Sequence, residues 1–179
     1  MTTKQKDTTK KTKRKNSNKI GAKFEERIEK HCEELDKQGI MKIHKIPTEI
    51  KMIRGVGGKI VSAFPVKESK FVDYQGVLIT GQAIAIETKT HEQKTRFNFS
   101  NLQQYQIEYL NDFVSKYNGQ GYYIIEFRSL KRIFMIPALV MSDCIDNIGR
   151  ASAPLSWFED TKEVIELDYK KLNFEDYIK

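Results

Sequence analysis

Apolar side chains at Ile20, Phe24, Ile28, Cys32 and Leu35 recur every three to four residues, the spacing that lines one face of an α-helix. Asn18 is placed to cap such a helix and Gly39 to stop it, so a helix is predicted over 18–37. The pattern then changes period. Met41-Lys42-Ile43-His44-Lys45-Ile46 alternates and runs into Pro47, which predicts a strand over 41–46. Residues 48–70 are less regular, with three glycines and Pro65 among bases and isolated apolar side chains, and read as a basic excursion from the core, a hairpin or protruding arm. Two further strands are predicted over 71–79 and 83–89, joined by Thr80-Gly81-Gln82. Ser100 is placed to cap a second helix, with Leu102, Tyr105, Tyr109, Leu110, Phe113 and Tyr117 as its expected buried stripe and Asn118-Gly119 as its end. Strands over 121–127 and 132–136 follow, and Pro137 opens a short helix to about 148. The last thirty residues carry scattered aromatics, Trp157, Phe158, Tyr169, Phe174 and Tyr177, that are expected to pack back on the core. The order α-β-β-β-α-β-β-α predicts an α/β fold, a central mixed sheet flanked by helices.

Composition narrows the class. The 179 residues are 39% hydrophobic and 31% charged, enough to bury a core in one domain. No apolar run approaches the roughly 18 residues of a membrane-spanning helix, and no apolar stretch follows the basic N-terminus as in a secretory signal. Cys32 and Cys144 stand far apart without CxxC spacing, which argues against a disulfide framework or a zinc site. A cytoplasmic protein without membrane contact is expected.

Charge changes the picture more. The net +7 resides in residues 1–19, which hold eight bases against Asp7, and the remaining 160 residues balance at 23 and 23. Residues 1–17 have no aromatic side chain and nothing apolar after Met1, so they are expected to form a disordered basic tail ahead of a domain over 18–179. A cationic arm on a neutral body fits sequence-independent phosphate contact; a solubility or targeting tail is the plainer alternative.

The candidate chemistry sits at the end of the second central strand. Hydrolysing a phosphodiester at neutral pH calls for a divalent metal, carboxylates to hold it, and a group that orients water and offsets charge on the phosphate. Glu87 and Lys89 stand two apart on a strand and so share a face. Asp73 on the preceding strand can converge on them. The Glu-x-Lys pattern alone says little, because it also occurs at Glu49, Glu68 and Glu92. Only the copy at Glu87 follows a buried-type strand, Ala83-Ile84-Ala85-Ile86, whose neighbour supplies an acid. On residues alone it remains open whether this is a catalytic pair or an ordinary Glu–Lys pair at a strand end. His91 reads as a metal ligand or, more commonly, a solvated loop histidine. Gln106 lies off the apolar stripe of the second helix and faces the site or water. The helix tyrosines read as core rather than as base-stacking platforms.

Asp73, followed after thirteen residues by Glu87-Thr88-Lys89, resembles the (P)D…(D/E)xK signature of restriction-endonuclease-like nucleases. More narrowly, His44-Lys45-Ile46-Pro47-Thr48, Asp73-Tyr74-Gln75-Gly76-Val77, Ile86-Glu87-Thr88-Lys89, Gln106-Ile107-Glu108 and Gly149-Arg150-Ala151-Ser152 resemble, in that order, blocks of the RecU Holliday-junction resolvases. The resemblance implies Mg²⁺, with Mn²⁺ as a substitute, held by Asp73 and Glu87 with the Thr88 carbonyl. It implies Lys89 as the residue that orients water and phosphate. Glu25, in Gly21-Ala22-Lys23-Phe24-Glu25, becomes a fourth acidic catalytic residue, with Glu26 as its fallback. Residues 48–70 become a stalk that enters the open centre of the junction, with Lys51, Arg54, Lys59, Lys67 and Lys70 on DNA, joined by Arg96 and Gln106. It also implies a homodimer cutting four-way DNA with paired symmetric nicks in recombination and repair or phage DNA processing, with a recombinase as a further partner. Two other readings are kept: a nuclease of this fold acting on other branched or duplex DNA, and a non-catalytic DNA-binding or recombinase-modulating protein.

Overall fold

A computed structural model of the chain describes residues 5–47, 50–66 and 71–178, with residues 5–20 described by backbone alone. Helix α1 (Gln5–Lys37) leads into strand β1 (Met41–Lys45), a hairpin of β2 (Ile50–Arg54) and β3 (Ile60–Pro65), and strands β4 (Tyr74–Leu78) and β5 (Ala83–His91). A short β6 (Arg96–Asn98) precedes helix α2 (Gln104–Ser115), strands β7 (Gln120–Phe127) and β8 (Arg132–Pro137), and helix α3 (Ala138–Asn147). The chain ends through β9 (Ser152–Pro154), α4 (Leu155–Asp160) and β10 (Ile165–Leu167). Six strands form one mixed sheet in the order β1-β4-β5-β7-β8-β10, in which β5 and β7 pair in parallel and the other neighbours pair antiparallel.

The two faces of this sheet explain the strand patterns. Phe24, Ile28, Cys32 and Leu35 of α1 are all at most 2% exposed and pack on Ile43, Tyr74, Ile84, Ile86 and Ile124. Full burial of such apolar side chains contributes about 1.5–3 kcal/mol each. On the opposite face Ala85, Tyr123, Ile125 and Phe134 meet Leu110 of α2, Met141 of α3 and Phe158 of α4. β5 and β7 are therefore covered on both sides, which is why Ile84-Ala85-Ile86 and Ile124-Ile125 read as continuous apolar runs. Close approach of β1 to β4 requires glycine at one place: a Cβ on Gly76 would lie 2.0 Å from the Lys42 carbonyl oxygen.

Several elements differ from their sequence-based expectation. Helix α1 starts at Gln5 rather than Asn18, so its backbone enters the segment expected to be a disordered tail. No proline or glycine precedes Gly21, and extending an existing helix costs far less than nucleating one. Residues 1–4 lie outside the described residues. Ser100 falls in a 3-10 turn and α2 is instead capped at Gln103, through a reciprocal capping box with Gln106. The inward face of α2 is Gln106 and Leu110, while Tyr105, Tyr109 and Phe113 are half-buried and Tyr117 is exposed. Leu102 and Leu110 of the expected stripe are buried, and Gln106, midway between them, completes the face that packs. His91 is buried, not solvated: its Nε2 meets the Arg96 carbonyl, and its ring packs edge-on to Phe97 and Phe127. Within the excursion, β2 and β3 form a hairpin and, among the described residues, pair only with each other, with Ile50, Met52, Val56, Ile60 and Val61 exposed; residues 48–49 and 67–70 lie outside the described residues.

Candidate active site

The antiparallel register of β4 and β5 pairs Tyr74 with Ile86, the last pair toward the site, so Asp73 lies one step beyond the ladder and alongside Glu87. With no strand pairing to satisfy, the Asp73 backbone N–H donates to Glu87 Oε2 at 3.3 Å. Asp73 Oδ2 in turn accepts two hydrogen bonds from Thr88, from its N–H at 2.9 Å and its Oγ1 at 2.7 Å. Its other oxygen, Oδ1, makes no hydrogen bond among the described residues. The Thr88 N–H points out of β5 on the side of Asp73, past the end of the β4 ladder, and a strand residue's C=O points the same way as its N–H.

Glu87 and Lys89 alternate with Ile84 and Ile86, so they share the α2 face of the sheet. Lys89 Nζ stands 2.5 Å from Glu87 Oε1, and Gln106 Nε2 donates to the same oxygen at 2.6 Å. Glu87 is 1% exposed. Burial pushes its carboxyl up to about 7 from the ordinary 4.5, with the neighbouring Asp73 charge adding to the rise and Lys89 opposing it. An anionic Glu87 is therefore under-compensated by the protein alone, and a cation placed beside it would lower that cost.

The donor set fits such a cation. Among the described residues no group of three or more His, Cys, Asp or Glu side chains is arranged to hold a metal ion. What is present is two carboxylates and a backbone carbonyl, all oxygen donors. Mg²⁺ is commonly bound in that way, by one or two carboxylates with its remaining positions left to water and phosphate oxygens.

Glu25 stands one step removed. Its Oε2 accepts from Lys45 Nζ at 2.7 Å, and its carbonyl accepts the Tyr74 hydroxyl at 2.8 Å. Lys45, across the β1–β4 ladder from Tyr74, is held above its ordinary pKa by its hydrogen bond and ion pair with Glu25, aided by Glu29 and Asp73 and opposed by burial. Sequence reasoning missed Lys45 as a member of the site; its signal was its place at the end of an alternating strand beside a quoted motif.

The structure thus brings together Asp73, Glu87, Thr88, Lys89 and Gln106, and links Glu25 to them through Lys45. It does not bring the proposed DNA-binding bases to the same place. Lys51, Arg54 and Lys59 are exposed on the hairpin, where Arg54 Nη1 donates to the Gly58 carbonyl at 3.1 Å. Lys67 and Lys70 lie outside the described residues. Arg96 is exposed on β6, its Nε donating to Gln93 Oε1 at 3.4 Å. Gln106 is 5% exposed, too deep to present its amide to DNA, so its place is with Glu87 rather than on the DNA surface.

The family described as Recombination protein U matches residues 19–179. The Holliday junction resolvase RecU of Pediococcus pentosaceus is 33% identical over 149 residues, 79% of this chain and 72% of that protein. The protein of the same name from Streptococcus equi subsp. zooepidemicus is 34% identical over 127 residues, 67% of this chain and 61% of that protein. A solved structure of Archaeoglobus fulgidus Hjc, a Holliday junction resolvase, aligns with a TM-score of 0.38 at 15% identity, covering 85% of this chain and 91% of that chain. Among the described residues no helix is long and apolar enough to cross a membrane.

Proposed function

Since the chain belongs to the Recombination protein U family, we propose that it is an endonuclease that resolves four-way DNA junctions by metal-dependent phosphodiester hydrolysis. The observation that carries this reading is the convergence of Asp73, Glu87 and Lys89 at one strand end, with Thr88 fixing Asp73. Asp73 and Glu87, with the Thr88 carbonyl, would hold Mg²⁺, for which Mn²⁺ would substitute. When bound, such an ion would supply polarisation of the scissile phosphate and a reactive water at neutral pH.

The remaining work falls to this chain's own groups. Thr88 uses both its N–H and its hydroxyl to fix Asp73 Oδ2, leaving Oδ1 as the free oxygen of that carboxylate. Lys89, 19% exposed at its side chain and paired with Glu87, can release Nζ toward a phosphate oxygen without leaving the site. There it orients the attacking water and offsets negative charge developing on the phosphorus. Glu25 acts through Lys45, holding that ammonium where the Asp73 charge also acts on it. The hairpin bases and the basic N-terminal segment contribute phosphate contacts that recognise shape and charge rather than base edges. A homodimer supplies two such sites for paired nicks, and a cytoplasmic location follows from the substrate.

The test is cleavage of a labelled four-way junction with a mobile core, with Mg²⁺, with Mn²⁺ and with EDTA, beside a matched linear duplex. Symmetric nicks on the junction alone, absent in EDTA, are expected. Tight junction binding without any cutting would move the protein to the non-catalytic class, and equal cutting of the duplex would replace the substrate.

A further inference from the structure

One buried side chain beside the site serves two elements at once. Gln106 Oε1 accepts the Gln103 backbone N–H at 3.0 Å, which closes the capping box at the start of α2. Gln106 Nε2 donates to Glu87 Oε1 at 2.6 Å. The first bond decides the second. A carboxamide has one acceptor end and one donor end, and with the acceptor committed to the helix cap, the donor end is the one that faces Glu87.

Glu87 needs such a partner. The terminal torsion of a glutamate is broad and roughly two-fold, so nothing intrinsic fixes which way its carboxylate plane lies. Here Oε1 receives Gln106 Nε2 and Lys89 Nζ, while Oε2 receives only the long bond from the Asp73 N–H at 3.3 Å. The better-held oxygen points at α2, and the loosely held one points at Asp73, where the ion is proposed to sit.

We propose that Gln106 is a positioning residue of the nuclease centre: it locks the Glu87 carboxylate with Oε1 against α2 and Oε2 toward Asp73. The inference rests on the resolvase reading above and adds to it a residue whose place in the chain suggested DNA contact. It also gives the capping box a second purpose, since the rigidity of the first turn of α2 becomes the rigidity of a metal-binding oxygen. Lys89 cannot do this alone, because an ammonium on a flexible four-carbon stem holds charge without fixing a plane.

The substitution Gln106→Glu separates the two bonds. It keeps an oxygen acceptor for the Gln103 N–H, as glutamate does in ordinary capping boxes, and sets a carboxyl against Glu87 Oε1 in place of the amide donor, which at pH 8 repels that oxygen instead of holding it. Steady-state cleavage of the four-way junction at pH 8 with Mg²⁺ is expected to show kcat reduced about 10- to 100-fold, the usual cost of losing a hydrogen bond to a buried charge. KM for the junction, and junction binding in EDTA, are expected to match the wild type. An unchanged kcat would overturn the proposal and leave Gln106 as a helix cap only. A raised KM at unchanged kcat would overturn it in favour of DNA contact. A variant that fails to fold hands the decision to a protein that keeps Gln106, in which the ¹⁵N-resolved Nε2 protons of Gln106 are expected to move between wild type and Glu87→Ala; unmoved resonances would overturn it. Failure of the wild type to cut any junction would instead sink the resolvase reading, and this role with it.

Discussion

The burial of Glu87 makes the metal-free protein's stability depend on pH in a direction opposite to that of most carboxylates. The perturbation is Glu87→Gln, which keeps the shape and an acceptor for Gln106 and removes the charge. In the folded chain the Glu87 carboxyl is pushed up to about 7, against an ordinary 4.5. Between those values the folded state holds a proton that the unfolded state has released, so stability falls as pH rises through the window. At about 1.4 kcal/mol per pH unit, the whole window is worth roughly 3 kcal/mol, most of it between pH 5 and pH 8. The variant does not titrate there and escapes that loss. Its pH-independent costs, such as the altered contact with the Asp73 N–H, cancel when its difference from wild type at pH 5 is subtracted from that at pH 8.

Urea denaturation in EDTA, followed by far-ultraviolet circular dichroism at the two pH values, reads this double difference directly. Glu87→Gln is expected to gain roughly 2–3 kcal/mol on the wild type on going from pH 5 to pH 8. A gain within about 0.5 kcal/mol of zero would refute the reasoning, since Glu87 would then be ionised at no cost in its buried position. The same experiment carries a linked expectation for metal. At pH 8, Mg²⁺ is expected to raise the wild-type midpoint by binding the folded site, and the neutral variant is expected to respond less.

Three further outcomes follow from geometry away from Glu87. Gly76→Ala would press a Cβ against the Lys42 carbonyl oxygen and the Ile43 Cα, at 2.0 and 2.6 Å; a loss of at least about 3 kcal/mol is expected, and a melting temperature within about 2 °C of wild type would mean that β1 does not cross β4 in this register. Glu126→Ala strands Arg27, the Tyr169 hydroxyl and Thr90, and should cost about 2–4 kcal/mol in denaturant; a cost within about 0.5 kcal/mol of zero would contradict the assignment of Glu126 as the buried hub. Deleting residues 1–17 is expected to weaken junction binding mainly at low salt and to flatten the dependence of log Kd on log salt. Equal slopes for the two proteins would mean that the basic segment does not touch phosphate.

Strands β1, β4, β5, β7 and β8 were legible because each is long enough to show either alternation or a doubly buried run. β6, β9 and β10 were not, since three residues display no period. The error on α2 is more instructive. Reading Tyr105, Tyr109 and Phe113 as the inward face assumes that the bulkiest apolar groups go in, yet these side chains are half-buried. The face that packs runs through Leu102, Gln106 and Leu110: the two leucines belong to the expected stripe, and the glutamine between them does not. Nothing local says that a glutamine belongs inside. What draws it in is the carboxylate of Glu87, nineteen residues away in the chain.

The same logic locates the site as a whole. Among the described residues the buried polar side chains are Glu87, Thr88, His91, Gln106 and Glu126, and three of the five lie on β5. Alternation along that strand sends Glu87 and Lys89 to the α2 face, while Thr90, between Lys89 and His91, points to the α1 face. There its hydroxyl donates to Glu126, which also receives Arg27 and the Tyr169 hydroxyl. The polar end of β5 is therefore gripped from both sides, by Gln106 in front and by the Glu126 cluster behind. Buried polar groups cost stability unless every one is paired. A strand end that carries such groups on both faces, each with its partner, is held more firmly than an apolar one of the same length, because lateral movement would break several hydrogen bonds to charged groups together. That is the physical sense in which the apolar run Ile84–Ile86 and the polar run Glu87–Lys89 form one device: the first anchors β5 in the sheet, and the second spends that anchoring on fixing two carboxylates relative to each other.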